Sequence, residues 1–118
     1  MADRLQKGER PALFYVIPDF QNPSGTVLSP AKRQRIANLA REYGFWIVED
    51  VPYRRLRYRG EDMPTLLELA PDRVLQMSSY SKLISPGLRV GYIIVPQTQS
   101  NRLAKMVFTP TSTWMSLR

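Results

Sequence analysis

Apolar residues fall along the chain in two rhythms. Short unbroken runs at Leu13–Ile17 and Phe45–Val48 are rich in aromatic and β-branched residues and predict buried strands. Between them Ile36, Leu39, Ala40 and Tyr43 recur at helical spacing and predict an amphipathic helix. Ser29 and Pro30 suit its cap and first turn, and Gly44 suits a left-handed end. Strand, helix and strand in that order form a βαβ unit, the building block of parallel sheets covered by helices. Further strands are predicted over Arg73–Met77 and Val90–Val95, one or two helical turns over Thr65–Ala70, and a helix over Gln97–Val107. The first ten residues are polar and predict no part of the core, and Thr109–Arg118 carry no clear pattern. There is no internal repeat and no low-complexity tract.

Composition narrows the chemistry. The 118 residues suit one domain or part of one. With 43% hydrophobic and 23% charged residues the chain is of ordinary globular type. It has no Cys and no His, which removes disulfides, zinc fingers, His bases and His-ligated metals, and no metal site is expected. Seventeen Lys and Arg against ten Asp and Glu give a net charge of +7, which permits an anionic partner without choosing one. No apolar run approaches the ~18–20 residues of a membrane span, and the opening MADRLQKGERP has no signal-peptide core. The expectation is a soluble, cytoplasmic protein.

The polar residues of interest follow the predicted strands. Gln21-Asn22-Pro23 follows the first, Asp50 and Tyr53 the second, and Ser78, Ser79, Tyr80, Ser81 and Lys82 the third. In an open parallel sheet, ligands bind beyond the carboxyl ends of the strands. Taken singly, each residue has an ordinary explanation: Asn22-Pro23 as a turn, Asp50 as a cap, Lys82 as a solvated charge, Arg89 as a loop residue. Gly25, Gly87 and Gly91 need only turns. Taken together, they suit a flat, phosphorylated, electron-poor ring. A lysine amine forms a Schiff base with an aldehyde, and a carboxylate facing a pyridine nitrogen keeps the ring an electron sink. A phenol and an amide suit a ring hydroxyl, and serines with an arginine suit a phosphate. That is the inventory of a pyridoxal phosphate site.

The string SSYSKLISPGLRVGY, Ser78–Tyr92, resembles the lysine signature of pyridoxal-phosphate-dependent aminotransferases of fold type I (class I/II). PDFQNPSG, from Pro18, and EDVPYRRLRY, Glu49–Tyr58, resemble two further motifs of that family in the same order, and the three fall within residues 13–96. The resemblance implies that Lys82 carries pyridoxal 5'-phosphate as a Schiff base and moves a proton at the substrate's α-carbon. It implies Asp50 at the pyridine nitrogen, Asn22 and Tyr53 at the 3-hydroxyl oxygen, and Ser79, Ser81 and Arg89 at the phosphate. The implied fold class is α/β, a partial, mainly parallel sheet with covering helices from the large domain, its Val90–Val95 strand antiparallel. Transamination between an amino acid and a 2-oxo acid is the implied activity, and a homodimer the implied full-length form.

Within the family, QNPSG and PGLR look more like enzymes acting on 2-aminoadipate and on aromatic or branched amino acids. The alternative is the aminotransferase-like effector domain of a winged-helix transcription regulator. Such regulators tend to carry an aromatic residue in place of Asn22 and an acidic one in place of Val51. Family catalytic domains are much longer than this chain, so residues 1–118 are expected to be an incomplete large domain, with 1–12 a polar lead-in and the small domain absent. An incomplete sheet exposes edges and apolar faces, so the isolated chain is expected to be marginally folded or aggregation-prone and inactive. A third reading, nucleic-acid binding through Arg54, Arg55, Arg57 and Arg59, is disfavoured, because a solvated face beside the second motif explains the cluster and the remaining charge is scattered.

Overall fold

A computed structural model describes residues 1–107. Thr109–Arg118, which carried no sequence expectation, lie outside the described residues. The elements are α1 (Ala2–Gln6), β1 (Leu13–Val16), α2 (Pro30–Tyr43), β2 (Trp46–Asp50), α3 (Leu66–Leu69), β3 (Val74–Ser79), β4 (Gly91–Ile94) and α4 (Gln97–Val107). Short 3-10 turns occupy Arg54–Leu56 and Pro86–Leu88.

The strands form one sheet in the order β1-β2-β3-β4. β1, β2 and β3 are parallel, with Tyr15 opposite Val48 and Asp50 opposite Met77. β4 returns antiparallel to β3, with Ser79 opposite Gly91, as the family resemblance implied. Helix α2 begins where expected. Ser29 Oγ accepts the Lys32 N–H, Pro30 occupies the first turn, and Gly44 closes the helix at φ 76°. The predicted turns near Thr65 form α3 through a reciprocal cap, Glu68 N–H to Thr65 Oγ1 at 3.0 Å and Thr65 N–H to Glu68 Oε2 at 2.7 Å.

Among the described residues, one face of the sheet is covered. Ala37 and Ala40 of α2 let the helix approach closely, and Phe45, Ile47, Leu66, Ala70 and Val74 complete the packing. Each large side chain buried there contributes about 1.5–3 kcal/mol. On the opposite face Leu13 (54% exposed), Tyr15 (53%) and Ile93 (48%) meet solvent. Both kinds of strand surface are apolar, as the unbroken runs predicted, but helices cover only one of them among the described residues.

Three sequence expectations are corrected. The polar lead-in is not outside the core: α1 places Leu5 in it at 2% exposure, and Arg10 Nη1 donates to the Leu5 carbonyl at 3.0 Å. Spacing within so short and charged a segment gave no sign of this. Gly91 is required by close approach and not by a turn, since a Cβ there would sit 2.8 Å from the Ser78 carbonyl oxygen. The arginine cluster is not simply a solvated face. Arg54 and Arg57 turn inward onto Asp19 with side chains 19% and 12% exposed, while Arg55 and Arg59 stay outside.

Candidate functional site

Because β1, β2 and β3 are parallel neighbours, the segments that follow them leave the sheet at one rim. Asn22 lies in the segment after β1; Asp50 closes β2 and Tyr53 follows it; Ser79 closes β3, and Ser81 and Lys82 follow it. Each is held by its own local chemistry.

The Asn22 loop is anchored at its base by a buried carboxylate. Asp19 is fully buried and accepts from Arg33 at 2.8 and 3.3 Å, from Arg57 at 3.0 Å and from Arg54 at 3.4 Å. Arg33, also fully buried, donates in addition to the carbonyls of Pro18, Leu28 and Pro64. One carboxylate thus ties β1, α2 and the segment after β2 together. Phe20 lies under the Arg57 guanidinium at 4.8 Å. Beyond this anchor the turn is exposed: Gln21 Nε2 donates to the Asn22 carbonyl, leaving the Asn22 side chain at the surface.

Asp50 ends β2, and the pleat directs it to the uncovered face. The Tyr15 phenol, two positions back on the neighbouring strand by register, donates to Asp50 Oδ2 at 2.7 Å. Tyr15 is pushed up to about 12, first by that hydrogen bond, then by desolvation and by the charge of Asp50, with Tyr53 adding to the effect. Glu49, the preceding residue, faces the core instead. Its carboxylate is fully buried and accepts from Leu66 N–H, Leu67 N–H and Gln76 Nε2 at 2.7, 3.1 and 2.9 Å. Adjacent carboxylates therefore do opposite work, one holding α3 on the sheet and one available at the rim.

The segment after β3 is a closed loop. Tyr80 N–H donates to the Val90 carbonyl at 3.0 Å, and the Leu83 and Ile84 N–H groups both reach the Tyr80 carbonyl. Ser85 Oγ accepts the Gly87 N–H, and Arg89 takes a left-handed φ of 50°. The Ser79 and Ser81 hydroxyls are 2.9 Å apart, and Ser81 N–H donates to Ser79 Oγ at 3.1 Å. Ser79, Ser81, Lys82 and Arg89 thus belong to one loop, with Lys82 and Arg89 exposed. Ser79 and Asp50 face the same side of adjacent strands. A strand spacing of ~4.8 Å and a rise of ~3.3 Å per residue put their Cα atoms about 8 Å apart. Ser78, the remaining serine, faces the core and donates to the Val51 carbonyl.

The structure therefore brings Asp50 and Ser79 to one face, with Ser81 hydrogen-bonded to Ser79. Asn22, Lys82 and Arg89 are exposed in the rim segments with no hydrogen bond from their side chains to another candidate among the described residues. A cleft of about 280 Å³ is lined by Val51, Arg54, Arg55, Asp62, Thr65, Gln76, Ser78 and Tyr92, and it includes none of the residues that the resemblance implies at the cofactor. Sequence reasoning missed Tyr15. Its signal was a single polar-tipped ring in an otherwise apolar run, which needs a partner when it packs on a sheet.

Comparison with known proteins adds to this geometry. The family model for aminotransferase class I and II matches residues 3–114. The 2-aminoadipate transaminase of Thermus thermophilus is 38% identical over 96 residues, covering 78% of this chain and 24% of that protein. An uncharacterized HTH-type transcriptional regulator of Bacillus subtilis, YdeF, is 31% identical over 102 residues, covering 86% of this chain and 22% of that protein. The crystal structure of Pyrococcus horikoshii kynurenine aminotransferase, in complex with PMP, superposes with a TM-score of 0.82 at 30% identity, over 89% of this chain and 26% of that one. The chain thus spans about a quarter of the length of these relatives. No described helix is long and apolar enough to cross a membrane.

Proposed function

Because the chain belongs to the class I and II aminotransferases, the pyridoxal-phosphate-dependent enzymes of fold type I, we propose that it binds pyridoxal phosphate at Lys82. We propose that it serves transamination between an amino acid and a 2-oxo acid. The observation that carries this reading is the shared rim: parallel β1, β2 and β3 end side by side, Asp50 closes β2, and the segments after β1 and β3 carry Asn22 and Lys82.

The donor set fits the group. Asp50 uses Oδ2 for Tyr15 and offers Oδ1 to a protonated ring nitrogen. Asn22 and Tyr53 supply an amide and a phenol for the ring hydroxyl. Ser79, Ser81 and the Arg89 guanidinium supply hydroxyls and positive charge for a phosphate dianion, on a loop already closed by backbone hydrogen bonds. When bound, pyridoxal phosphate supplies the electron sink for negative charge at an amino acid's α-carbon. Lys82 Nζ would hold the cofactor at its aldehyde carbon, with loss of water, and as a free amine would carry the proton at the substrate's α-carbon.

We also propose that residues 1–118 are part of a larger cofactor-binding domain, a reading supported by the uncovered apolar face of the sheet. The 2-aminoadipate transaminase and the kynurenine aminotransferase among its relatives support substrates of the 2-aminoadipate or aromatic class. A regulator has related sequence, but Asn22 and the buried Val51 match the enzyme pattern, so the enzyme reading is preferred.

The test is borohydride reduction of the protein with pyridoxal phosphate, followed by peptide mapping. Label on the Lys82 peptide, lost in Lys82→Ala, is the expected result. Label spread over other lysines, or retained in the variant, removes the lysine assignment.

A further inference from the structure

Tyr15 has no role in the site derived so far, yet it makes the one side-chain hydrogen bond to Asp50 among the described residues, 2.7 Å to Oδ2. We propose that Tyr15 is a positioning residue: its phenol fixes the Asp50 carboxylate so that Oδ1 is presented to the cofactor's ring nitrogen. The inference rests on the pyridoxal phosphate reading above.

The geometry supports it at each step. Tyr15 projects from a strand onto the uncovered face, opposite Val48, and Asp50 lies two residues further along that neighbouring strand. The phenol therefore spans a diagonal towards the rim, from a rigid ring with few torsions to order. A carboxylate at the last position of a strand is otherwise free to rotate, and a ligand that needs one of its oxygens must first stop that rotation. The phenol occupies one oxygen only. Its raised titration, to about 12, keeps it a donor throughout the range in which such a site works. The roles of the two nearby phenols then separate: Tyr53 is assigned to the ring hydroxyl, Tyr15 to the carboxylate behind the ring nitrogen. Phenylalanine at position 15 would keep the packing and remove the bond alone, because the side chain is half exposed.

The test uses wild type, Tyr15→Phe, Asp50→Asn and the double variant, all checked for equal far-UV circular dichroism. In the absence of cofactor, ultraviolet titration should show a phenol near 12 in wild type. That phenol should be missing from Tyr15→Phe and should move down towards its ordinary value of 10 in Asp50→Asn. In a binding titration with pyridoxal phosphate, Tyr15→Phe should weaken affinity about tenfold, the scale of one hydrogen bond to a charged group. In the Asp50→Asn background the same change should have little further effect, since the phenol then has no carboxylate to hold. If Tyr15→Phe binds as wild type does while Asp50→Asn binds weakly, the positioning role is overturned and the cofactor site stands. If both tyrosine steps weaken binding equally in the two backgrounds, Tyr15 acts independently of Asp50 and the proposal is wrong. Failure of wild type to bind, within the larger cofactor-binding domain, overturns the cofactor reading and the inference with it. The titration of Tyr15 then reports separately whether the contact exists.

Discussion

Replacing Asp19 by asparagine removes the charge on which three arginines converge. Arg54 is partly exposed and can turn to water, and Arg57 keeps a second carboxylate, Asp62, at 3.5 Å. The loss therefore concentrates on Arg33, which is fully buried and retains only carbonyl acceptors from Pro18, Leu28 and Pro64. Breaking one partner of a buried pair costs about 3–5 kcal/mol, and the remaining carbonyls put Asp19→Asn near the lower end. Total stability for a domain of this size is ~6–18 kcal/mol, and a sheet covered on one face among the described residues falls low in that range, so the variant should lose about half of its stability. Urea unfolding followed by circular dichroism measures the change directly. Because the cluster is out of water, moderate salt should leave the wild-type midpoint nearly unchanged. A loss below ~1 kcal/mol, or a wild-type stability that falls by the same amount in high salt, would refute the reasoning. The functional corollary is that Asp19→Asn also frees the loop carrying Asn22.

Glu49→Ala strips acceptors from two α3 N–H groups and from the Gln76 amide, those of Leu66 and Gln76 buried and that of Leu67 partly so. At about 1–3 kcal/mol for each stranded donor, the loss of stability by urea unfolding should exceed that of any exposed carboxylate. At the surface, two Arg41 hydrogen bonds hold the Asp72 carboxyl below its usual value of 3.8. A depressed folded value gives stabilisation that is present above 3.8 and lost as pH falls through the folded value. With these side chains 43% and 55% exposed, screening limits the effect to about 1 kcal/mol or less. Arg41→Ala should lose that contribution at neutral pH and flatten the acid-side slope, so that thermal melts of the two proteins converge as pH falls below the folded value.

The βαβ unit was legible because its signals are local: unbroken strand runs, a helical stripe, Ser29-Pro30 before it and Gly44 after it. The candidate residues were legible because strand ends are, and three motifs followed three strands. What escaped the sequence depends on pairing across distance. Asp19 read as a turn former, since its buried partner Arg33 stands 14 residues on in the first turn of α2 and Arg54 and Arg57 lie beyond a strand. Tyr15 read as one more apolar position, because only the strand register shows that its hydroxyl reaches Asp50. Leu5 sat in a segment too charged for its single apolar contact to stand out. Gly91 looked like a turn glycine until the β3 backbone was found against it.

A crystal structure of the protein with pyridoxal phosphate tests the central claim most directly. The account predicts continuous density from Lys82 Nζ to the cofactor, with Asp50 Oδ1 at the ring nitrogen and Asn22 at the ring hydroxyl. Cofactor held by another lysine, or these side-chain tips on opposite faces of the sheet, would contradict it.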